Sequence, residues 1–345
     1  MDKRINIAIV GLNFGRHIIK ELSEGCNPAR FRLAAICDIN QEKVETEAAR
    51  LGVRAYYTLD ELLKDESIQA VGLYTGPVNR SALLRQIIRA GKDVMTTKPF
   101  ELDADAAREV LEEAERLGRV IHLNSPSPLP SADLQVVAEW REKHTLGRPV
   151  GCRIECWANY KEEADGTWYD DPQLCPAPPL YRLGIYLMND LIWLLGTPEK
   201  VSLLQSRIRT GRPTADNAQM GVLFAGGAIA NVFASFCVRD GQLYRNAYVM
   251  NYENGTIYRN IGPEADKSME TVKLIAHGGD VLETAHTQEH SGAYQWGNFY
   301  RAVNGENIFG DNAAEKRKAY IDRIVNGVKV MDAMKRAQEG GSAYV

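Results

Sequence analysis

The sequence predicts an α/β domain with a doubly wound parallel sheet, followed by an α+β domain with an open, mostly antiparallel sheet. The length, 345 residues, is typical of about two domains. Short β-branched apolar runs alternate with amphipathic helical segments over the first 123 residues, as in strand–helix–strand units. A proline-rich stretch at 125–130 then precedes runs that alternate in polarity. The predicted domains are 1–124 and 125–345.

The first predicted domain consists of five strands and five helices. The clearest helix has Asp103 as its N-cap, an apolar stripe on one face, and Gly118 just beyond its end. Because crossovers between parallel strands are right-handed, this order predicts helices on both faces of the sheet. The predicted strands are 5–10, 33–37, 70–74, 93–96 and 120–123, and the predicted helices are 16–23, 41–51, 59–64, 80–90 and 104–117.

The second predicted domain contains mainly antiparallel strands, separated by turn signals such as Gly226-Gly227 and Asn254-Gly255. We expect the glycine-containing tail at 340–341 to fray. The predicted strands are 150–160, 200–210, 218–224, 228–237, 247–251 and 255–260, and the predicted helices are 132–143, 180–195, 293–303 and 313–337.

Composition excludes several classes of protein. The chain is 45% apolar and 25% charged with a net charge of −4, which argues against disorder and against a bulk attraction to nucleic acid or anionic membranes. Apolar runs are too short for a membrane span, and the first residues lack a signal-peptide pattern. Six cysteines are spread over the chain, and the close pair Cys152 and Cys156 has neither the redox nor the zinc-ribbon spacing, which fits reduced thiols. We therefore expect a cytoplasmic protein that binds neither nucleic acid nor membrane.

The first strand leads into a glycine-containing turn of the kind that binds a dinucleotide. The segment Gly11-Leu12-Asn13-Phe14-Gly15-Arg16 follows strand 5–10 and opens a helix, whose N-terminal amides and dipole favour a pyrophosphate. The complete fingerprint has glycine at the positions of Asn13 and Arg16, so an ordinary strand–turn–helix junction is the alternative. The predicted cofactor-binding residues here are Gly11, Asn13, Phe14, Gly15 and Arg16.

Asp38 strengthens the prediction of a nucleotide site. It ends the second strand, where a carboxylate accepts hydrogen bonds from ribose hydroxyls and repels a 2′-phosphate. Because Ile39 and Asn40 rather than a cation follow it, we expect NAD, with NADP less favoured. The alternative is that Asp38 caps the next helix, from which we expect Lys43 to point outward.

The segment Ala90-Gly91-Lys92-Asp93-Val94-Met95-Thr96-Thr97-Lys98-Pro99-Phe100, which follows Thr75-Gly76-Pro77, resembles the Gfo/Idh/MocA family of NAD(P)-dependent sugar and polyol oxidoreductases. Members carry Ala-Gly-Lys-His-Val-x-x-Glu-Lys-Pro-Leu, so Thr97 replaces a glutamate. The resemblance implies an NAD-binding Rossmann domain in which Lys98 is catalytic and hydrogen-bonds the reacting oxygen. It also implies that Pro99 fixes the turn, in some members through a cis peptide. The implied cofactor contacts are Thr75, Gly76, Pro77, Thr97, Lys98 and Asn124, and Lys98 and Asn124 also face the substrate.

The second half departs from the family pattern Asp-x-Gly-x-His-x-x-Asp, because Arg182, Tyr186 and Asn189 stand at its three polar positions on one helix face. In one interpretation Tyr186 is the acid/base, with neighbouring Lys98 and Arg182 lowering the pKa of the phenol from its usual value near 10. In the other, dehydrogenation is lost and the fold only binds nucleotide and ligand.

Arg182 needs an anionic partner if it lies in a substrate pocket. The candidates are a substrate carboxylate or phosphate, which leads to the hypothesis of an acidic sugar, or an acidic side chain such as Asp170, Asp171 or Asp190. Aromatic residues concentrate between 157 and 186 and suit either a sugar ring or a subunit interface. The predicted substrate-binding residues are Lys98, Asn124, Tyr160, Trp168, Arg182, Tyr186 and Asn189.

The predicted function is hydride transfer between a nicotinamide cofactor and a hydroxyl or keto carbon of a sugar, polyol or glycoside. The alternatives are an NAD-retaining glycoside hydrolase or epimerase that uses transient oxidation, and a catalytically silent NAD- and sugar-binding protein. No metal is predicted, because Ser291-Gly292 interrupts any helix through the zinc-like pattern His286…His290. An open sheet face predicts a homodimer or homotetramer.

Overall fold

The computed structural model describes residues 4–241, 244–263, 268–289 and 291–345. The chain divides into two compact units. The first comprises Met1–Pro128 and Tyr294–Asp322, and the second comprises Leu129–Ala293 and Arg323–Val345. The predicted boundary after residue 124 lies close to the break after Pro128. In contrast to the predicted range 125–345, the segment Tyr294–Asp322 groups with the first unit.

The first unit contains a parallel sheet of six described strands in the order β3-β2-β1-β4-β5-β6. The order reverses between β1 and β4, the position at which open α/β sheets bind ligands beyond the carboxyl ends of the strands. The short strand β3 was not predicted, since three residues carry little periodicity. The strands are β1 (Ile5–Val10), β2 (Phe31–Cys37), β3 (Arg54–Tyr56), β4 (Ala70–Leu73), β5 (Asp93–Thr96) and β6 (Ile121–Leu123).

The helices of residues 4–128 follow the predicted positions, apart from the short α2. The helix α6 has both predicted end signals: Asp103 Oδ1 accepts a hydrogen bond from the Ala106 amide at 2.8 Å, and Gly118 adopts a φ of +62°. Its apolar stripe is buried. The helices are α1 (Leu12–Leu22), α2 (Asn27–Arg30), α3 (Gln41–Leu51), α4 (Leu59–Leu63), α5 (Arg80–Arg89) and α6 (Ala104–Arg116).

The second unit contains nine described strands in the order β14-β13-β12-β11-β7-β10-β9-β8-β15. Neighbours pair antiparallel except β7 and β10, which are parallel. The tail that was expected to fray instead pairs with β8, Ala343 lying opposite Val201. The strands are β7 (Pro149–Trp157), β8 (Pro198–Ser206), β9 (Asn217–Phe224), β10 (Ile229–Ser235), β11 (Arg245–Tyr252), β12 (Gly255–Arg259), β13 (Glu270–Ala276), β14 (Val281–Thr287) and β15 (Ser342–Tyr344).

Apolar side chains of the second sheet pack against helices on one face. The inward positions alternate with outward ones along each strand, as in a sheet with a single covered face. A π-helical turn, Leu180–Gly184, leads into the second helix of this half. The remaining helices are α7 (Ala132–Lys143), α8 (Ile185–Leu195), α9 (Trp296–Val303) and α10 (Ala313–Gly340).

The outward face of the second sheet carries large apolar side chains. Leu204 and Leu282 are 74% and 71% exposed, and Ile229 is 56% exposed. The homo-oligomer stays a prediction. These exposed apolar side chains support it, because a second copy of the chain would remove them from water. Among the described residues, no helix combines the length and the apolar character that crossing a membrane requires.

Candidate functional site

The turn between β1 and α1 depends on glycine at two positions. Gly11 has a φ of +87°, and a Cβ atom there would lie 2.9 Å from the backbone carbon and oxygen of Tyr74. A Cβ atom at Gly15 would lie 2.8 Å from Cγ2 of Ile9, so this glycine permits close packing of helix on strand. The two glycines therefore supply the tight turn and the close packing, although Asn13 and Arg16 occupy positions where the dinucleotide fingerprint has glycine.

Asp38 contacts the start of α1. Its Oδ2 accepts a hydrogen bond from the Leu12 amide at 2.7 Å, and its Oδ1 accepts one from the Asn40 amide at 3.0 Å. The alternative that Asp38 caps α3 is wrong, because the side chain of Asn40 is the cap and accepts from the Lys43 amide at 2.9 Å. Asp38 is thus held beside the nucleotide-binding turn.

Lys43 extends from α3 toward the nucleotide turn. Its Nζ donates to Oδ1 of Asn13 at 2.7 Å, which places a cation beside the turn. Arg16 lies with its Nε 3.7 Å from Oε2 of Glu47, a carboxylate of α3. Phe14 is 41% exposed and contacts the ring of Tyr74. The predicted cofactor-binding residues from 11 to 16 therefore surround one helix N-terminus.

This arrangement fits a dinucleotide. The Gly11 backbone leaves no room for a side chain, and the amides of Asn13 and Phe14 lie in the first turn, beyond the reach of the helix's own carbonyls. Asp38 adds a carboxylate at the end of the neighbouring strand β2. A pyrophosphate at the amides and a ribose at the carboxylate are the groups that such a site holds.

Lys98 follows β5, and its amide donates to Oδ1 of Asn124 at 3.2 Å. Asn124 is buried directly after β6, so the carboxyl ends of two adjacent strands are joined by this bond. The Lys98–Pro99 peptide is cis. The loop Thr75-Gly76-Pro77 follows β4, the strand between β1 and β5, and a Cβ atom on Gly11 would lie 3.1 Å from the Thr75 amide. The predicted contacts of the first unit thus share one edge of its sheet.

Sequence reasoning missed Arg80, the first residue of α5. Its side chain is buried, and its guanidinium donates to the main-chain oxygens of Thr75, Thr97 and Pro99. An arginine at a helix start carries no signal of burial, so the sequence alone offered no indication of this role.

In the second unit, Tyr186 and Asn189 lie on α8. Tyr186 is half-buried, and the backbone of Gly292 packs on its ring, since a Cβ atom at Gly292 would lie 2.4 Å from Cδ1 and Cε1. Asn189 is buried, with Oδ1 only 2.6 Å from where a Cβ of Gly327 would be. Small residues therefore border both predicted side chains.

The anionic partner of Arg182 is Glu162, which corrects the acidic candidates Asp170, Asp171 and Asp190. The guanidinium also lies over three aromatic rings, 4.8 Å from the centroid of Tyr160 and 5.1 Å and 5.2 Å from those of Phe236 and Tyr169. Glu162 and these rings hold the positive charge in a fixed place. The predicted residue Trp168 packs beside them, its ring 4.3 Å from that of Tyr169.

A second arginine, Arg212, holds the segment that carries Glu162. Its side chain is 7% exposed and contacts Oε2 of Glu162 at 3.0 Å, Oδ1 of Asp165 at 2.8 Å and Oδ1 of Asp170 at 2.6 Å. The hydrogen bond from Arg212 holds the pKa of Asp165 well below its usual range. Sequence reasoning missed Arg212, which lies more than forty residues from each of these acids.

Asp190 is buried on α8. Its Oδ1 accepts a hydrogen bond from Oγ of Ser291 at 2.7 Å, and burial, followed by the nearby carboxylate Asp133, raises its pKa to about 7. The Ser291 bond and the buried Arg259 oppose that shift. Asp190 therefore fixes Ser291, and the neighbouring Gly292 packs on the ring of Tyr186.

Among the described residues, no group of three or more His, Cys, Asp and Glu side chains is placed to hold a metal. His286 of the zinc-like pattern lies in strand β14, with Nδ1 3.2 Å from Oγ1 of Thr271. His290 lies outside the described residues.

Comparison with known families agrees with the fold and with the turn after β1. Residues 5–125 match the oxidoreductase family model with an NAD-binding Rossmann fold, and residues 134–258 match the C-terminal domain model of the same family. The chain belongs to the Gfo/Idh/MocA family of NAD-binding oxidoreductases, as the segment around Lys98 indicated.

Individual relatives are distant. An uncharacterized oxidoreductase of Schizosaccharomyces pombe is 26% identical over 51% of this chain and 48% of its own, so the match spans about half of that relative. A D-xylose 1-dehydrogenase (NADP(+)) of Haloferax volcanii is 23% identical over 94% of this chain and 95% of its own. The WlbA dehydrogenase of Bordetella pertussis, solved with NADH and UDP-GlcNAcA, has 15% identity and a TM-score of 0.71, covering 99% of each chain.

Proposed function

We propose that this protein transfers hydride between NAD and a hydroxyl or keto carbon of a sugar, polyol or glycoside, with Lys98 and Tyr186 at the reacting oxygen. The observation that carries the proposal is the bond between the Lys98 amide and Asn124, which holds a lysine at the carboxyl edge of an NAD-binding sheet. The relative from Haloferax volcanii, named for D-xylose, supports a sugar-type substrate.

The roles follow from the chemistry of the side chains. A nicotinamide held by the first unit would accept the hydride from a hydroxyl-bearing carbon, or in its reduced form donate it to a keto carbon. The Lys98 ammonium donates a hydrogen bond to the substrate oxygen and stabilises negative charge as it develops there. The Tyr186 phenol exchanges a proton with that oxygen, a step for which a tyrosine needs a pKa lowered by nearby cations.

The substrate that we propose is neutral at the position facing Arg182. The hypothesis of an acidic sugar required an unpaired guanidinium, whereas Glu162 already balances this charge. A substrate carboxylate would have to displace Glu162 or add a second anion beside it, and both are costly in a partly buried site. The aromatic group around Tyr160 and Trp168 offers faces of the kind on which sugar rings pack.

The test is reduction of NAD against a panel of aldoses, polyols, uronates and glycosides. We expect net NADH with at least one substrate, and Lys98→Ala lowers kcat about 10²- to 10³-fold, the cost of one donor to a developing oxyanion. Tyr186→Phe removes only the hydroxyl, so it tests the proposed proton transfer in the same way that Lys98→Ala tests the proposed hydrogen bond to the reacting oxygen.

Three outcomes separate the alternatives. Substrate conversion without net NADH indicates a hydrolase or epimerase that retains its cofactor. NAD binding without turnover across the panel indicates a silent binding protein. Full activity in Lys98→Ala contradicts the proposed role of the lysine.

A further inference from the structure

Arg80 is placed as a structural link between two loops of the NAD-binding unit. It is the first residue of α5 and is 1% exposed. Its Nη2 donates to the carbonyl of Thr75, in the loop after β4, while its Nη1 donates to the carbonyls of Thr97 and Pro99, in the loop after β5. One side chain therefore bonds the loops that end two neighbouring strands.

The acceptors flank Lys98 on both sides. The carbonyl of Thr97 belongs to the peptide group before Lys98, and that of Pro99 lies one residue beyond it. The amide of Lys98 is bonded separately, to the buried side chain of Asn124. The backbone at position 98 is thus held from one side by Arg80 and from the other by Asn124, and its side chain emerges from a fixed base.

The chemistry of arginine suits this arrangement. Burying a guanidinium costs free energy unless its donors are used, and its planar group presents donors in two directions at once. A lysine in its place has a single ammonium on a flexible stem, which cannot keep the same two-directional geometry. Hydrogen bonds from a charged donor are stronger than those between neutral groups, so the three bonds together are able to determine the path of the loop.

We propose that Arg80 is the positioning residue for Lys98: it fixes the loop from which the lysine reaches the reacting oxygen and couples that loop to the one after β4. This inference rests on the proposed function, since it assigns Arg80 to the placement of a lysine that acts on substrate. Arg80 itself acts through the main chain.

The experiment compares Arg80→Lys and Arg80→Ala with Arg89→Ala in the full-length protein. Arg89 lies at the other end of α5, where it is exposed and paired with Glu113, so it matches Arg80 in type and helix. We expect kcat to fall about 100-fold in Arg80→Ala, the cost of a catalytic group displaced by about 1 Å. The KM for NAD rises much less than kcat falls, because the loop at Thr75 loses one bond while Gly11 and Asp38 still form the nucleotide turn.

Two further readouts distinguish positioning from folding. The alkaline limb of the kcat–pH profile moves to higher pH in Arg80→Ala, because removing a cation near Lys98 favours its charged form. Added guanidinium restores part of the kcat of Arg80→Ala and leaves Arg89→Ala unchanged. If Arg80→Ala does not fold, Arg80→Lys decides the question, and we expect it to lose at least about tenfold in kcat while its Tm stays within a few degrees.

Full kcat and an unchanged pH profile in Arg80→Lys, or in a folded Arg80→Ala, overturn the inference. Lys98→Ala is measured alongside them. If Lys98→Ala keeps full activity, the proposed function fails; if Lys98→Ala is inactive while Arg80→Ala matches Arg89→Ala, only the inference about Arg80 fails.

Discussion

The carboxyl edge of the first sheet and the region around α8 in the second unit build their sites by different means. At the first, main-chain groups present the binding surface: the Gly11 turn, the first amides of α1 and the carbonyls held by Arg80. Around α8, charged and polar side chains fix one another across long stretches of sequence, as Glu162 fixes Arg182 and Ser291 fixes Asp190.

The difference predicts which changes each region tolerates. A surface made by the main chain is sensitive to added volume, because a single Cβ atom collides with backbone that cannot move away. In a surface made by paired charges, removing one partner leaves the other uncompensated, whereas a carboxyl group whose burial raises its pKa, such as Asp190, costs stability when it ionises. Substitutions that change only volume or only charge therefore test the comparison.

The largest expected effect is on the pH dependence of stability through Asp190. Its pKa of about 7 in the folded protein lies above the usual 3.8, so the folded state keeps a proton that the unfolded state loses. Its contribution to stability is complete below pH 3.8 and is lost as the pH rises through about 7. At 1.36 kcal/mol per pKa unit, Asp190→Asn stabilises the protein at pH 8 by about 4 kcal/mol and by nothing at pH 4. Urea denaturation at both pH values measures this.

The control for Asp190→Asn is Asp165→Asn, for which the expected change in stability at pH 8 has the opposite sign. The pKa of Asp165 is lowered by Arg212, so its contribution is present at neutral pH and is lost as the pH falls through and below the usual 3.8. Asp165→Asn therefore destabilises the protein at pH 8, by a smaller amount because the carboxylate is half exposed. Equal stability of Asp190→Asn and wild type at pH 8 would contradict the account of the buried acid.

The next effect concerns added volume at the nucleotide turn. Gly11→Ala places a Cβ atom 2.9 Å from the Tyr74 backbone, so the turn must shift. We expect NAD affinity to fall about 100-fold, or about 2.7 kcal/mol, as measured by calorimetry. Gly118→Ala is the matched control, because Gly118 also has a positive φ but its Cβ atom would meet nothing within 4 Å. Equal losses in the two variants would assign the effect to backbone strain rather than to collision.

The sequence predicted the first region well because its signals are local. Strand, glycine turn and helix follow one another within twelve residues, and Asp38 ends the next strand. The Lys98 segment could be recognised because residues 90–100 are continuous in sequence and resemble the motif of a known family. Even here the contact of Lys43 with Asn13 was not predicted, since it joins two different helices.

The second region was predicted only in outline. Helix geometry predicts that Arg182, Tyr186 and Asn189 share one face, although Arg182 lies in the π-helical turn before α8. Nothing local indicates that Glu162 is the partner of Arg182. Arg212 and Ser291 lie between 42 and 101 residues from the acids that they contact, so only the tertiary fold brings them together. Strands β13 and β14 were missed too, although their alternation is clear once the strands are known.

A smaller effect tests the charge at Arg182. Because Glu162 balances this guanidinium, Arg182→Ala changes KM for an aldose and for the corresponding uronate to the same extent. Glu162→Gln leaves the guanidinium uncompensated, lowers stability by about 1–2 kcal/mol and improves kcat/KM for the uronate relative to the aldose. A selective loss of uronate activity in Arg182→Ala would instead show that substrate takes the place of Glu162.

The smallest effect is on the choice between NAD and NADP. Lys43 Nζ lies beside the turn through its bond to Asn13, close enough in sequence to Asp38 to influence the same end of the nucleotide. Asp38 repels a 2′-phosphate, and Lys43 offsets part of that repulsion. Since ion pairs of exposed groups contribute less than about 1 kcal/mol, Lys43→Met lowers kcat/KM for NADP a few-fold and leaves that for NAD unchanged. Lys20→Met, which removes an exposed lysine near the end of α1, changes neither. An equal loss with both cofactors would mean that Lys43 acts by holding Asn13 in the turn. The nucleotide site of the first unit would then depend on a charged side chain as well as on main-chain groups, and the difference between the two regions would be smaller.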